Sequence, residues 1–155
     1  MAQGKAQGKV LATNRKARYD YHIEEVFEAG IALTGSEVKS LREGRANLKD
    51  SYAALERDGV YLLNCHVSPY APANRLNHDP LRPRKLLLHR HEIRGLIGKV
   101  QEKGLTLVPL SLYLKNGRVK VELALARGKK QYDRREDVKR RVQEREVADA
   151  LKKAR

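Results

Sequence analysis

The sequence predicts a mainly β fold with short helices, a small antiparallel barrel followed by a basic C-terminal tail that becomes helical on binding. Three observations carry that expectation. Apolar and polar residues alternate through two long runs around Asn116 and Gly117, and a second pair of alternating runs flanks Asp58 and Gly59. From residue 129 onward the chain is rich in helix formers and charge but offers no continuous apolar stripe.

The N-terminal segment, residues 1–13, opens with the repeat AQGK at 2–5 and 6–9 and has little to bury, so it reads as a disordered basic tail. The domain proper spans 14–128. Between Tyr19 and Leu33, the strand-forming residues Tyr19, Tyr21, Ile23, Val26 and Phe27 precede Ala29 and Gly30, which predicts a first hairpin turning there. Ser36 then caps a short helix, with Glu37 in its first turn, Val38 and Leu41 on one apolar stripe and Gly44 at its end. Asp58-Gly59 predicts a type I′ turn between SYAALER and VYLLNCHV.

Four prolines, Pro69, Pro72, Pro80 and Pro83, exclude a helix or central strand from 69–83 and leave a loop long enough to carry a function. Ile93, Leu96, Ile97 and Val100 recur at helical spacing up to Lys103 and Gly104, and the interior Gly95 and Gly98 mark a close approach to a sheet. In the last hairpin an Asn116-Gly117 turn sets Leu114 opposite Val119, Leu112 opposite Val121 and Leu110 opposite Leu123. The other face then carries Tyr113 opposite Lys120 and Lys115 opposite Arg118. Like charges directly opposed cost roughly 0.2–1 kcal/mol per pair, so this face is either a phosphate or base surface or a solvated exterior. Several hairpins with short helices between them predict a barrel of the oligonucleotide-binding type; the alternative is an open α+β sheet.

Thirty-three Lys and Arg against 19 Asp and Glu give a net charge of +14 in 155 residues, which points to a polyanionic partner. A membrane surface would require a basic amphipathic helix with a large apolar face, and the tail has none: Val138 and Val142 lie close together, whereas Val147 and Leu151 project to nearly the opposite side. No apolar run has signal-peptide or membrane-spanning length, and the single cysteine, Cys65, reads as a small core residue in a reducing compartment. A cytoplasmic location is expected. His22, His66, His78, His89 and His91 complete no metal-ligand spacing, even where NHDP sets His78 beside Asp79, and no nucleotide loop or nucleophile elbow is present. No metal, cofactor or catalytic residue is therefore assigned. A metal-independent nuclease built on a histidine near a lysine is the enzymatic alternative, and a general single-strand-binding or ribosome-assembly protein is the non-enzymatic one.

The blocks NRKARYDY (14–21), GSEVKSLREG (35–44), DSYA (50–53), NHDPLRPRKLLLH (77–89), LVPLSLYLKNGRVKVELALARGKK (107–130) and YDRR (132–135) occur in this order. Together they closely resemble the SsrA-binding protein family, also called SmpB, the bacterial partner of transfer-messenger RNA. The resemblance implies a barrel that grips the tRNA-like domain of that RNA and is delivered with elongation factor Tu to stalled ribosomes. It also implies a tail lying as a helix in the vacant messenger channel. The family's RNA-contact positions fall on Glu28, Leu87 and Lys120. Its decoding-centre segment falls on Gly128, Lys129, Lys130, Tyr132, Asp133, Arg134 and Arg135, with Tyr132 stacking on ribosomal RNA. Tyr113, Lys115 and Arg118 join Lys120 on the hairpin face, and Lys16, Arg18, Arg82, Arg84 and Lys85 are further phosphate candidates, chosen by charge and position. Departures are few: Ser36 stands where Thr is common, Tyr19 where His is common and Arg134 where Lys is common. Beyond Arg135 the likeness is compositional.

Overall fold

The computed structural model describes residues 8–128, 142–143 and 145–148. Strand β1 (Val10–Thr13) leads into helix α1 (Arg15–Asp20), β2 (Tyr21–Ile31), α2 (Gly35–Arg42) and β3 (Ala46–Asn47). Strands β4 (Tyr52–Glu56), β5 (Gly59–Leu63) and β6 (His66–Val67) follow, then a 3₁₀ segment at Ala71–Leu76 and β7 (Arg84–Leu87). Helix α3 (Arg90–Lys103) and the long strands β8 (Thr106–Lys115) and β9 (Arg118–Gly128) complete the domain.

All pairings are antiparallel, and the neighbour order β8-β4-β5-β7-β2-β9 returns to β8, so the sheet closes on itself as a barrel. Closure removes the unpaired edges that an open sheet would expose. The open-sheet alternative is thereby excluded. Leu62, Leu86, Leu107, Leu112, Val121, Leu123 and Leu125 fill the interior, and Leu41 of α2 and Leu96 of α3 join the same cluster. On the outside, α1 lays Ala17 over Val108, Leu110, Ala124 and Ala126, forming a second, smaller cluster.

The Asn116-Gly117 hairpin has the expected register at Leu114↔Val119, Leu112↔Val121, Tyr113↔Lys120 and Lys115↔Arg118. It departs further along, where a register shift between Pro109 and Ser111 pairs Leu123 with Pro109 instead of Leu110. A bulge reverses the inward and outward alternation. Leu110 consequently belongs to the cluster under α1, while Leu112 belongs to the interior.

Other expectations are corrected. Residues 10–13 are not part of a disordered tail, because β1 pairs with the stretch of β8 at Ser111, Leu112 and Tyr113. Tyr19–Leu33 is not a hairpin: Asn14 caps α1 through its side chain, and β2 then runs unturned through Gly30 because β9 supplies pairing partners as far as Lys120. The cap of α2 is Thr34, whose side chain accepts from the Glu37 amide while the Glu37 carboxylate accepts from Thr34 N–H, a reciprocal capping box. Ser36 already lies within the helix.

Gly44 does end α2, at φ +72°. Between β4 and β5, Glu56 pairs with Gly59, so the turn is Arg57-Asp58, one residue early, and neither residue takes the positive φ of a type I′ turn. The proline-rich loop admits a 3₁₀ segment, with Pro72 in its first turn and a kink at Asn74. Gly95 and Gly98 have open space where a Cβ would project, so neither marks a tight approach to the sheet.

Candidate nucleic-acid interface

The outer face of β2, β8 and β9 carries the expected cation cluster, and register explains how it arises. Lys120 stands opposite Tyr113 on one side and Gly30 on the other, while Lys115 and Arg118 flank the turn. Glu28, Lys115, Asn116, Arg118 and Lys120 line one open cleft. Among the described residues, neither Arg118 nor Lys120 makes an ion pair or side-chain hydrogen bond. Arg118 is exposed and Lys120 half-buried, and the Lys120 charge reaches Glu28 without a hydrogen bond.

Glu28 is the acid of this cleft, and it is held from below. The Tyr113 hydroxyl donates to Glu28 Oε2 at 2.5 Å, and Lys115 Nζ donates to both carboxylate oxygens at 3.1 and 3.2 Å. The Tyr113 hydrogen bond holds the Glu28 carboxyl below its ordinary range; partial burial opposes this, and Lys115 and Lys120 add to it. Tyr113 itself is only 2% exposed, so the ring expected to form part of the RNA-binding hairpin face is covered. Burial, followed by the Glu28 charge, pushes its phenol up.

Beside this cleft lies an apolar slot lined by Gly30, Ile31, Leu33, Val38, Leu87 and Val119, with Arg118 and Lys120 common to both. Leu87 is 54% exposed, unlike its neighbour Leu86 at 2%, because alternation along β7 points it outward over Gly30. A Cβ at Gly30 would stand 3.1 Å from Leu87 Cβ, so glycine lets Leu87 settle there. The slot was not anticipated as a unit, since its lining comes from four separate segments.

The remaining phosphate candidates divide by burial. Lys16 and Arg18 are exposed on α1, where Lys16 pairs with Asp50 at 3.2 Å and Arg18 with the nearly buried Glu122 at 3.2 Å. Glu122 is the register partner of Glu28, which brings Arg18 onto the same face of the sheet. Lys85 is half-buried on β7 and lays its stem against Gly59. Arg84 must be withdrawn as a phosphate contact because its side chain is fully buried. It donates to Glu37 Oε2 at 2.5 Å and to the Cys65 carbonyl at 2.7 Å. Arg82 also donates to both Glu37 oxygens, at 2.7 and 3.3 Å, so this cation is largely committed within the protein.

Burial raises the Glu37 carboxyl, but Arg82, the Thr34 amide and Arg84 outweigh it and bring the group to about 2. His78 is absorbed into the same packing: its Nε2 donates to the Val67 carbonyl at 2.9 Å, which leaves Nδ1 to accept from Ser36 Oγ at 2.8 Å. The proline-rich loop is thus a strap tying α2 to the barrel. Cys65 is buried, and desolvation pushes its thiol up to about 11. Gly128 ends β9 opposite Tyr21. Lys129, Lys130, Tyr132, Asp133, Arg134 and Arg135 lie outside the described residues, as does most of the tail expected to become helical. Residues 142–143 and 145–148 are helical, with Val142 and Val147 exposed. No helix of the described residues is long and apolar enough to cross a membrane.

A closed antiparallel barrel that displays a cation-rich cleft beside an exposed apolar slot defines a nucleic-acid-binding barrel protein. The family model described as SmpB protein matches residues 11–153. The SsrA-binding proteins of Geobacillus thermodenitrificans (strain NG80-2) and Bacillus subtilis (strain 168) are each 60% identical over 148 residues, covering 96% of this chain and 96% and 95% of theirs. A solved chain described under "tmRNA-SmpB: a journey to the center of the bacterial ribosome" matches with a TM-score of 0.64 at 55% identity, covering 77% of this chain and 84% of that chain. The chain belongs to the SmpB family.

Proposed function

We infer that this chain is a non-enzymatic RNA adaptor that binds the tRNA-like domain of transfer-messenger RNA and brings it to stalled ribosomes for trans-translation. The observation that carries this reading is the cleft between β2, β8 and β9, where Arg118 and Lys120 make no hydrogen-bonded ion pair among the described residues, their cations outnumber the single acid Glu28 once Lys115 is counted, and Leu87 lies exposed alongside. Phosphates would meet the cations, and an unstacked base would meet Leu87. The names of the relatives, SsrA-binding proteins, agree with that partner.

Glu28, Leu87 and Lys120 are the central contacts, with Lys115 and Arg118 beside them and Lys16 and Arg18 contributing charge from α1. Lys85 and the partly exposed Arg82 are peripheral. Tyr113 takes part from beneath, through Glu28. The finer parts of the reading are that elongation factor Tu accompanies the delivered RNA in the cytoplasm and that the tail from Lys129 onward, with Gly128 at its base, enters the empty messenger channel. There Lys129, Lys130, Arg134 and Arg135 hold phosphates, Asp133 lies among them, and Tyr132 stacks on ribosomal RNA.

Gel-shift titration at fixed salt compares a tRNA-like acceptor and D-arm fragment with unstructured RNA of equal length. The adaptor prefers the structured fragment, and equal affinity for the two RNAs removes this reading in favour of a general single-strand binder. Both RNAs stay intact on long incubation; cleavage would restore the nuclease alternative.

A further inference from the structure

We infer that Tyr113 is a positioning residue that sets the Glu28 carboxylate to accept a hydrogen bond from an N–H or O–H donor of bound RNA. The cleft then distinguishes RNA from a bare chain of phosphates. This inference rests on the RNA-binding reading above and adds to it the residue that orients the contact.

A carboxylate in a cleft meant only for polyanions is counterproductive, because it repels phosphate and neutralises a neighbouring cation. Glu28 nevertheless lies in the lining with Lys115, Arg118 and Lys120 and is exposed to it. Its geometry is not that of an incidental surface acid. The Tyr113 hydroxyl, on a side chain only 2% exposed, reaches Glu28 Oε2 at 2.5 Å, and β8 and β2 are each paired to β9, which fixes both backbones. Tyr113 thus anchors one oxygen from a rigid element, while Lys115 steadies the group from the side.

An ionised carboxylate accepts hydrogen bonds and donates none. Backbone phosphate diesters carry no donor, so they gain nothing from Glu28. Base amino and imino groups and ribose hydroxyls do carry donors, and in single-stranded or irregular RNA the base edges are open to protein. The carboxylate is ionised, and so an acceptor, at neutral pH as any exposed glutamate is, and the Tyr113 hydrogen bond favours that form further.

The test measures affinity at fixed salt for two probes, the tRNA-like RNA fragment and inorganic polyphosphate, and repeats the RNA titration across a salt series. Tyr113→Phe keeps the ring and removes the hydroxyl. It should weaken RNA binding roughly 10- to 100-fold, the range expected for a lost hydrogen bond to a charged group, while leaving polyphosphate binding and the RNA salt slope unchanged. Glu28→Asp keeps the charge but shortens its reach. It should show the same split, and the double variant should lose no more than the worse single variant.

Wild-type RNA affinity in Tyr113→Phe overturns the inference. So do equal losses on RNA and polyphosphate, or additive losses in the double variant. Circular-dichroism melting of each variant checks the fold, and the exposed Glu28→Asp site keeps the test decisive if Tyr113→Phe is destabilised. RNA methylated at its ribose 2′ oxygens separates the two donor sources: a persistent Tyr113→Phe loss assigns the donor to a base edge, and a vanished one assigns it to ribose. A wild-type chain that fails to prefer the tRNA-like fragment defeats the adaptor reading itself, whereas a wild-type preference unaffected by Tyr113→Phe defeats only the positioning role.

Discussion

Glu37 has no solvent access, yet its carboxyl is brought to about 2 because Arg82, Arg84 and the Thr34 amide all favour the charged form. A pair of this kind is costly to break from one side, since the remaining charge stays buried without compensation. Arg84→Met should therefore destabilise the fold by about 3–5 kcal/mol in urea denaturation, with RNA affinity falling only where unfolding begins. The pH dependence follows from the direction of the shift. A group whose folded pKa lies below its unfolded value stabilises the fold above the ordinary 4.5 and loses that contribution as pH falls toward about 2. The urea midpoint should decline across that window, and Glu37→Gln should flatten the decline while lowering stability at neutral pH. Lys120 presents the opposite situation, a half-buried cation that makes no hydrogen-bonded ion pair among the described residues. Lys120→Ala should leave the urea midpoint nearly unchanged, weaken binding to the tRNA-like fragment and reduce the salt slope by about one phosphate contact; an unchanged slope would place Lys120 outside the interface.

At the scale of elements, the β8–β9 hairpin was legible because its alternation and its Asn-Gly turn agree, and the register was correct as far as Leu112↔Val121. It failed at Leu110, where a bulge intervenes. A bulge is a response to neighbouring packing, here the helix α1 lying on Val108 and Leu110, and local alternation carries no mark of it. The β2 strand failed for a related reason. Ala29 and Gly30 have turn chemistry, but β9 offers a pairing partner as far as Gly30 and the strand simply continues. Strand β1 depends on a close approach: the Leu114 amide donates to the Lys9 carbonyl at 2.8 Å, and Gly8, at φ +85°, leaves no room for a Cβ beside the Leu114 carbonyl. Gly8→Ala should loosen this attachment, seen as faster hydrogen exchange at the Leu114 amide than at Val121 in the barrel interior. Equal exchange at Leu114 in the two proteins would show that β1 is held by its other contacts.

For the whole molecule, the positive charge divides between two places. Lys115, Arg118 and Lys120 occupy a folded face, while a second concentration follows Gly128, where the chain leaves β9. If the two serve different RNAs, they are separable. Ending the chain before Gln131 should leave affinity for the tRNA-like fragment within a few-fold of the full chain while abolishing rescue of stalled ribosomes in a reconstituted translation system. Loss of RNA affinity in the truncated protein would instead make the tail part of the primary site. Hydrogen exchange of residues 131–155, free and ribosome-bound, gives an independent measure, with protection expected only on the ribosome.

The sequence by itself determined the β character, the two hairpins, α2 and α3, the polyanionic partner and the cationic hairpin face, because each is written in local periodicity, turn chemistry or charge. It could not separate Arg84 from Lys85, adjacent cations of β7, although the first is wholly buried against Glu37 and the second is only half-buried. Nor did it join Tyr113 to Glu28, which are 85 residues apart in the chain and linked by one hydrogen bond. Those distinctions were made by tertiary packing: α2 sets Glu37 against Arg84, and β9 holds β2 and β8 on its two sides. Charge is a property of a residue, whereas burial and partnership depend on which distant strand or helix arrives beside it, and that is decided only when the tertiary structure assembles.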